Sequence, residues 1–136
     1  MIESPLARKL LMRESHRVLI LHPPNGFQSL LDPLPVGARI VSEPAGSADV
    51  VVLFVRNRAD LQRDATRAVA MTRREGALWL AFPKGTSKVK SDLSRDDGWD
   101  ALTVLGYVGV SIVSIDETWS AFRFRPVELV GSKRTP

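Results

Sequence analysis

The chain has 136 residues, and its 44% hydrophobic and 25% charged content is typical of a globular domain large enough to bury a core. The sequence contains no cysteine, which excludes disulfides, thiolate metal sites and a cysteine nucleophile, and suits a cytoplasmic location. No apolar run is long enough for a membrane span, and the net charge of +4 favours phosphate-bearing or acidic partners.

The first half of the sequence predicts short helices that alternate with apolar strands. Ser4 and Pro5 have the residue types of a helix N-cap and a first helical position, so a short helix is expected there. Strands are then predicted over residues 17–22 and 38–43, with a short helix over residues 27–31 between them. Clusters of proline and glycine separate these elements. Residues 50–55 are a continuous apolar run rich in valine, which is typical of a strand buried on both faces.

The second half begins with a longer helix and a fourth strand. Asn57 has the residue type of an N-cap, and the spacing of apolar residues predicts a helix to about residue 74. Gly76 is expected to close this helix, and the apolar residues 77–82 are expected to form a buried strand.

The C-terminal third predicts one more helix and a hairpin. Ser94 and Asp97 resemble a capping box, which predicts a helix that Gly106 ends. The strands predicted over residues 110–115 and 119–125 are joined by only three residues, so they are expected to pair antiparallel.

This order of elements predicts an α/β protein with a three-layer Rossmann-like sheet, mostly parallel, with an antiparallel C-terminal edge hairpin. Right-handed crossovers place the carboxyl ends of the parallel strands along one edge. Residues 1–130 are predicted to form a single domain, and residues 131–136 are expected to be a flexible tail.

Two segments carry a resemblance to the Rossmann-like methyltransferase fold. Residues 75–80 resemble that family's step from helix through glycine to strand, and residues 49–53 resemble its central strand. The resemblance implies a parallel sheet with an antiparallel last strand. It also implies that Glu43, at the end of the second predicted strand, holds a ribose.

The sequence departs from the methyltransferase pattern at two places. Residues 22–27 stand where the family has a glycine-rich loop, but they contain one glycine and two prolines. Bare glycine backbone is what lets a cofactor approach such a loop closely. Only residues 44–49 separate the second and third strands, so a helix and a strand are missing there. These departures favour a trimmed fold without an intact S-adenosylmethionine site.

A second resemblance covers nearly the whole chain. Residues 5–10, 83–92 and 115–126 resemble a bacterial family of short proteins that is described only as a domain of unknown function. This resemblance supports the fold and implies no activity, so the cofactor stays unknown.

The strongest candidate site is the lysine loop, residues 84–90, which follows the fourth predicted strand. Its side chains combine lysines and hydroxyls, and the proposed ligand-binding residues are Lys84, Thr86, Ser87, Lys88 and Lys90. With the N-terminus of a following helix, these groups can hold a phosphate or carboxylate. The alternative is a solvated connection whose lysines favour solubility.

Further candidates are expected at the same edge of the sheet. Glu43 is a candidate ribose ligand or an acid that faces water. Asp116 and Trp119 can recognise a polar ring or an amine, although a turn with a buried Trp119 is the favoured alternative. His22, at the end of the first strand, can act as a base or form a structural hydrogen bond. Arg123, alternating with aromatic residues, is expected on a protected edge strand.

The main predicted function is a non-catalytic binding or regulatory module for an anionic, phosphate-like or nucleotide-like ligand. The alternatives are a divergent S-adenosylmethionine-dependent methyltransferase-like enzyme and a domain that binds protein or nucleic acid. Expected partners are a phosphate- or nucleotide-containing small molecule and a protein, with nucleic acid less favoured and no membrane.

Overall fold

The computed structural model describes residues 3–42 and 47–131. Their strands are β1 (Arg17–Leu21), β2 (Arg39–Val41), β3 (Ala48–Phe54), β4 (Thr72–Pro83), β5 (Tyr107–Ser114) and β6 (Trp119–Pro126). Their helices are α1 (Pro5–Lys9), the 3₁₀ helix η1 (Gln28–Leu31), α2 (Arg58–Met71), α3 (Asp100–Thr103) and α4 (Val127–Gly131). None of these helices combines the length and apolar character that crossing a membrane requires.

The strands form one sheet in the order β2-β1-β3-β4-β6-β5. Neighbours from β2 to β4 pair in parallel, whereas β6 pairs antiparallel with both β4 and β5. The chain passes from β1 to β2 on one side and continues in β3 on the other side, so a topological switch point lies between β1 and β3. The predicted Rossmann-like α/β class with an antiparallel edge hairpin is confirmed.

Strand β3 shows why the sheet is covered on both faces. Val51 and Leu53 pack in a core with α2 and α3, while Val50 and Val52 pack in a second core with α1 and η1. All four side chains are fully buried. An uninterrupted apolar strand therefore has no polar face to expose, as its sequence predicts.

Helix α1 forms where its capping residues predict it. Ser4 is the N-cap, and its Oγ accepts a hydrogen bond of 3.2 Å from the backbone N–H of Ala7. At the other end, the indole N–H of the buried Trp79 donates to the carbonyl of Leu10 at 2.9 Å. This bond joins the α1 segment to the middle of β4.

The boundary between α2 and β4 lies earlier than predicted. Helix α2 ends at Met71, and Thr72 has an extended backbone while its Oγ1 donates to the carbonyl of Ala68 at 2.7 Å. Thr72 already pairs with Ala48 of β3, so the strand begins there. Gly76 lies inside the strand, where a Cβ would stand 2.6 Å from the carbonyl oxygen of Asp49.

The helix predicted from the capping box is largely absent. Helix α3 has four residues, and its N-cap is Trp99 rather than Ser94. The backbone of Ser94 instead bonds with Asp97 in a turn, and its carbonyl accepts the indole N–H of Trp99 at 2.7 Å. The lysine loop therefore does not lead into a helix N-terminus, and that part of the predicted anion site is wrong.

The interpretation of β6 as a protected edge strand is also wrong, because β6 lies between β4 and β5 and β5 is the edge strand. Arg123 is consequently half-buried, and its Nε has no hydrogen-bond partner within the described residues. Burial, with a smaller contribution from the charge of Arg125, lowers the pKa of Arg123.

A short helix that the sequence pattern did not predict follows β6. Val127 begins α4, and its backbone N–H donates to the carbonyl of Gly106 at 2.8 Å. Of the tail predicted over residues 131–136, Gly131 ends this helix, and the other five residues lie outside the described part.

Candidate functional site

The candidate site lies at the edge formed by the carboxyl ends of the parallel strands. The turn between β5 and β6, residues 115–118 (the hairpin turn), lies at the same edge because Trp119 pairs with Pro83 at the end of β4. The backbone N–H of Lys84 donates to the carbonyl of Thr118 at 2.7 Å. The structure therefore brings the lysine loop and the hairpin turn together, as the sequence predicts.

The connection after β1, residues 22–27 (the β1 loop), contains one glycine but has a positive φ at two positions. His22 has a φ of 57°, in the left-handed region that few non-glycine residues adopt, and Gly26 has a φ of 88°. A Cβ built on Gly26 would have no heavy atom within 4 Å, so its backbone is open. Pro23 and Pro24 contribute no N–H.

A cleft of about 310 Å³, which we call the aromatic cleft, separates the β1 loop from the hairpin turn. Its lining combines apolar and polar residues, namely Pro24, Asn25, Gly26, Phe27, Leu30, Asp116, Thr118 and Trp119. Phe54, at the end of β3, packs edge-on against Phe27 with centroids 4.7 Å apart and against Trp119 with centroids 5.1 Å apart. The walls of the cleft are thus held by a row of three buried aromatic rings.

Asp116 fixes the shape of the hairpin turn on the other side of the aromatic cleft. Its Oδ1 accepts hydrogen bonds of 2.8 Å from the backbone N–H groups of both Thr118 and Trp119. The side chain is exposed. Asp116 therefore presents a carboxylate in a defined position, and it lines the aromatic cleft together with the buried Trp119.

His22 points away from the aromatic cleft, toward α2. Its Nε2 lies 3.3 Å from Oδ2 of Asp64, and the Asp64 side chain is only 10% exposed. The guanidinium of Arg63 contacts the same oxygen at 3.1 Å. The hydrogen bond and charge of Asp64 raise the pKa of Arg63. His22 is interpreted from the sequence either as a base or as a structural histidine with a hydrogen-bond partner. Asp64 is the partner that the structural interpretation requires.

Asp64 is a residue at this edge that the sequence interpretation missed. The available signal was an acid within the apolar series Leu61, Ala65 and Ala68, which form the buried face of α2. An acid on such a face needs a partner, because an unpaired buried charge is costly.

The lysine loop borders a second cleft of about 330 Å³, lined by Thr86, Ser87, Lys88, Val89, Glu117 and Thr118. Two polar groups of the lysine loop form hydrogen bonds within the protein. The ammonium of Lys84 donates to Oγ of Ser114 at 2.7 Å, and the hydroxyl of Ser87 donates to the carbonyl of Lys84 at 2.8 Å. Lys90 is exposed and does not line this cleft. Glu43 lies outside the described residues.

Solved structures with a similar fold include complexes with SAH and with SFG and a SAM-dependent methyltransferase. DhpI in its complex with SAH matches with a TM-score of 0.60 at 14% identity, covering 90% of this chain and 82% of that chain. NSun6 from Pyrococcus horikoshii with SFG matches with a TM-score of 0.54 at 13% identity, covering 89% of this chain and 50% of that chain. For a SAM-dependent methyltransferase from Aquifex aeolicus, the TM-score is 0.50 at 9% identity, with 87% and 88% covered.

At these identities the likeness establishes the fold, and the trimmed methyltransferase-type fold implied by the sequence is confirmed. Six residues, 42–47, separate β2 from β3, which is too short for a further helix and strand. The sequence matches no family model and no curated protein.

The comparisons correct the main predicted function. Neighbours determined with SAH, with SFG, or with SAM and HEP favour the methyltransferase-like alternative over a non-catalytic anion-binding module. The helix N-terminus that was one part of the predicted anion site does not follow the lysine loop.

Proposed function

We propose that this domain binds an S-adenosylmethionine-type ligand and is a divergent methyltransferase-like enzyme. The observation that carries the proposal is the fold, which matches DhpI in its complex with SAH over 90% of this chain with a TM-score of 0.60. The ligand is proposed to lie across the carboxyl ends of β1 and β3, because ligands of open α/β sheets bind at such switch points.

The residues of the β1 loop fit such a ligand. The open backbone at Gly26 allows close approach, and the side chain and N–H of Asn25 add polar groups at the rim of the aromatic cleft. The N–H of Phe27 already donates to the carbonyl of Pro24 at 3.2 Å, so Asn25 and Gly26 are the donors proposed to hold the ligand. S-adenosylmethionine, when bound, supplies an electrophilic methyl group.

The residues singled out from the sequence become candidates for the rest of this site. The proposed contacts to the ligand or the methyl acceptor are Lys84, Thr86, Ser87, Lys88, Lys90, Asp116 and Trp119. Glu43 is kept as the proposed ribose ligand, on the resemblance alone. The proposal includes a cytoplasmic location and a small nucleotide-containing ligand.

Isothermal calorimetry with S-adenosylmethionine and with SAH tests the proposal, and two glycine variants locate the site. Gly26→Ala places a methyl group on the open backbone of the β1 loop, and we expect it to weaken binding about ten-fold. Gly106→Ala is the matched control, because Gly106 has a φ of 84° and similarly open surroundings. It lies just before β5, at the opposite edge of the sheet.

Both variants therefore carry the same backbone strain, and only one of them obstructs the proposed site. Binding of the parent chain with selective loss in Gly26→Ala supports the proposal. No heat with either ligand at millimolar concentration contradicts it, and equal losses in both variants would place the ligand elsewhere.

A further inference from the structure

The aromatic cleft has a charge opposite to that of the chain. Asp116 is the one charged residue among those that line it, although the whole chain carries a net charge of +4. No lysine lines the aromatic cleft, and Lys88 lines the second cleft, which shares Thr118 with it. The local field of the aromatic cleft therefore favours a positive group.

The rings of the cleft favour the same charge. Phe27 and Trp119 contribute to its lining, and Phe54 packs edge-on between them. The faces of aromatic rings are negative, and cations bind over them, most strongly over tryptophan. Burial and edge-on contacts hold these rings in defined positions at the cleft.

The carboxylate is held in a fixed position relative to the indole. Oδ1 of Asp116 accepts the backbone N–H of Trp119, whose indole packs edge-on against Phe54, so the acid is tied to the residue whose ring lines the cleft. Within the described residues, Oδ2 of Asp116 has no hydrogen-bond donor. That oxygen is available to a ligand at the rim of the cleft.

We propose that the aromatic cleft binds a small organic cation, a sulfonium or a protonated amine, between the carboxylate of Asp116 and the rings of Trp119 and Phe27. The inference rests on the proposed function, which names two sources of such a cation. One is the sulfonium of the methyl donor, and the other is an ammonium group on the methyl acceptor.

The first experiment compares S-adenosylmethionine, which carries a sulfonium, with SAH, which is neutral. If the sulfonium occupies the cleft, the parent chain binds S-adenosylmethionine about three- to five-fold more tightly. Asp116→Asn should bring the two affinities within two-fold of each other, because the amide keeps an acceptor for the turn and loses the charge. Glu117→Gln is the matched control, since Glu117 is the neighbouring acid and lines the other cleft.

The second experiment looks for the acceptor, in protein saturated with SAH. 2-Phenylethylamine and its neutral counterpart 2-phenylethanol are titrated, with chemical shifts of the Trp119 indole as the signal. A preference of about three-fold or more for the amine, lost in Asp116→Asn and kept in Glu117→Gln, assigns the cation to the acceptor.

The outcomes separate the inference from the function on which it rests. If neither S-adenosylmethionine nor SAH binds, the proposed function fails, and a selective amine titration on the free protein still supports the cation site. If both nucleosides bind equally and the amine shows no preference over the alcohol, the proposed function stands and the cation site is overturned. Equal effects of Asp116→Asn and Glu117→Gln also overturn the cation site, because they indicate that only the overall negative charge of the turn attracts the cation.

Discussion

The two sides of the same sheet edge use their polar residues differently. On the α2 side, His22 and Arg63 both contact the carboxylate of Asp64, which is nearly buried. On the η1 side, the carboxylate of Asp116 is exposed beside the aromatic cleft, and the backbone of Gly26 is open. Both sides contain residues that can perform chemistry, but the acid on the α2 side is paired and nearly buried, whereas Asp116 is exposed.

The comparison teaches that a charged residue at a switch point is not by itself evidence of a site. His22 has a left-handed backbone and an acid partner, which together resemble a catalytic arrangement. The same contact also gives His22 a structural role, because it joins the end of β1 to α2. Variants that change residues on only one side of the sheet edge can test this difference between the two sides.

The largest effect is expected from Phe54→Ala, which removes the central ring of the aromatic row. Phe54 is buried between Phe27 and Trp119, so truncation leaves a cavity under the cleft. We expect the free energy of unfolding to fall by about 3–5 kcal/mol, measured by urea denaturation.

Phe54→Leu serves as the control, because it keeps most of the volume and should cost less than about 1.5 kcal/mol. In that folded variant, cation preference in the cleft should decrease while the fold persists. A loss below about 1 kcal/mol in Phe54→Ala would contradict the view that this row supports the cleft.

A smaller effect is expected from Asp64→Asn on the α2 side. The amide can still accept from His22, so the variant removes charge with little change in shape. We expect a loss of about 1 kcal/mol in the free energy of unfolding and an S-adenosylmethionine affinity within about two-fold of the parent.

Asp96→Asn is the matched control for this charge, because Asp96 pairs with Arg95 at 3.5 Å in an exposed position. Its removal should change stability by less than about 0.5 kcal/mol. A ten-fold loss of ligand affinity in Asp64→Asn would overturn the contrast and assign the pair to the binding site.

The sequence predicted the elements whose causes are local. The apolar run of β3, the cap at Asn57 and the short connection before Trp119 each determine a conformation within a few residues. Asn57 indeed accepts the N–H of Asp60 at 2.8 Å, as a helix N-cap should.

The sequence-based predictions are wrong where the local conformation depends on residues that are distant in the sequence. Helix α2 ends early because Thr72 pairs with Ala48, which is 24 positions away in the sequence. The segment before α3 stays irregular because it packs on α2, where Asp92 accepts the N–H of Arg58 at 2.8 Å. Likewise, the contact between His22 and Asp64 depends on a crossover that periodicity does not report. The sequence correctly predicts that the lysine loop lies at the carboxyl edge of the sheet. It does not predict that the hydroxyl of Ser87 bonds within the loop.

The smallest effects are expected from Lys84→Ala and Lys88→Ala, which ask whether the lysine loop belongs with the open side of the edge. Lys84 bonds Ser114 in an exposed position, so stability should change by less than about 0.5 kcal/mol. If the loop holds the carboxylate of the ligand, each variant should weaken S-adenosylmethionine binding about two- to three-fold at low salt. This difference should vanish near about 0.5 M salt, where exposed charges are screened.

Lys9→Ala on α1 removes the same charge from an exposed position away from the sheet edge, so it reports the effect of net charge alone. Equal affinities in all three lysine variants at low salt would remove the lysine loop from the site. The aromatic cleft would then be the sole binding feature still supported at this edge. A selective loss in Lys88→Ala alone would instead divide the loop, because the ammonium of Lys84 is held by Ser114 and that of Lys88 is exposed beside the second cleft.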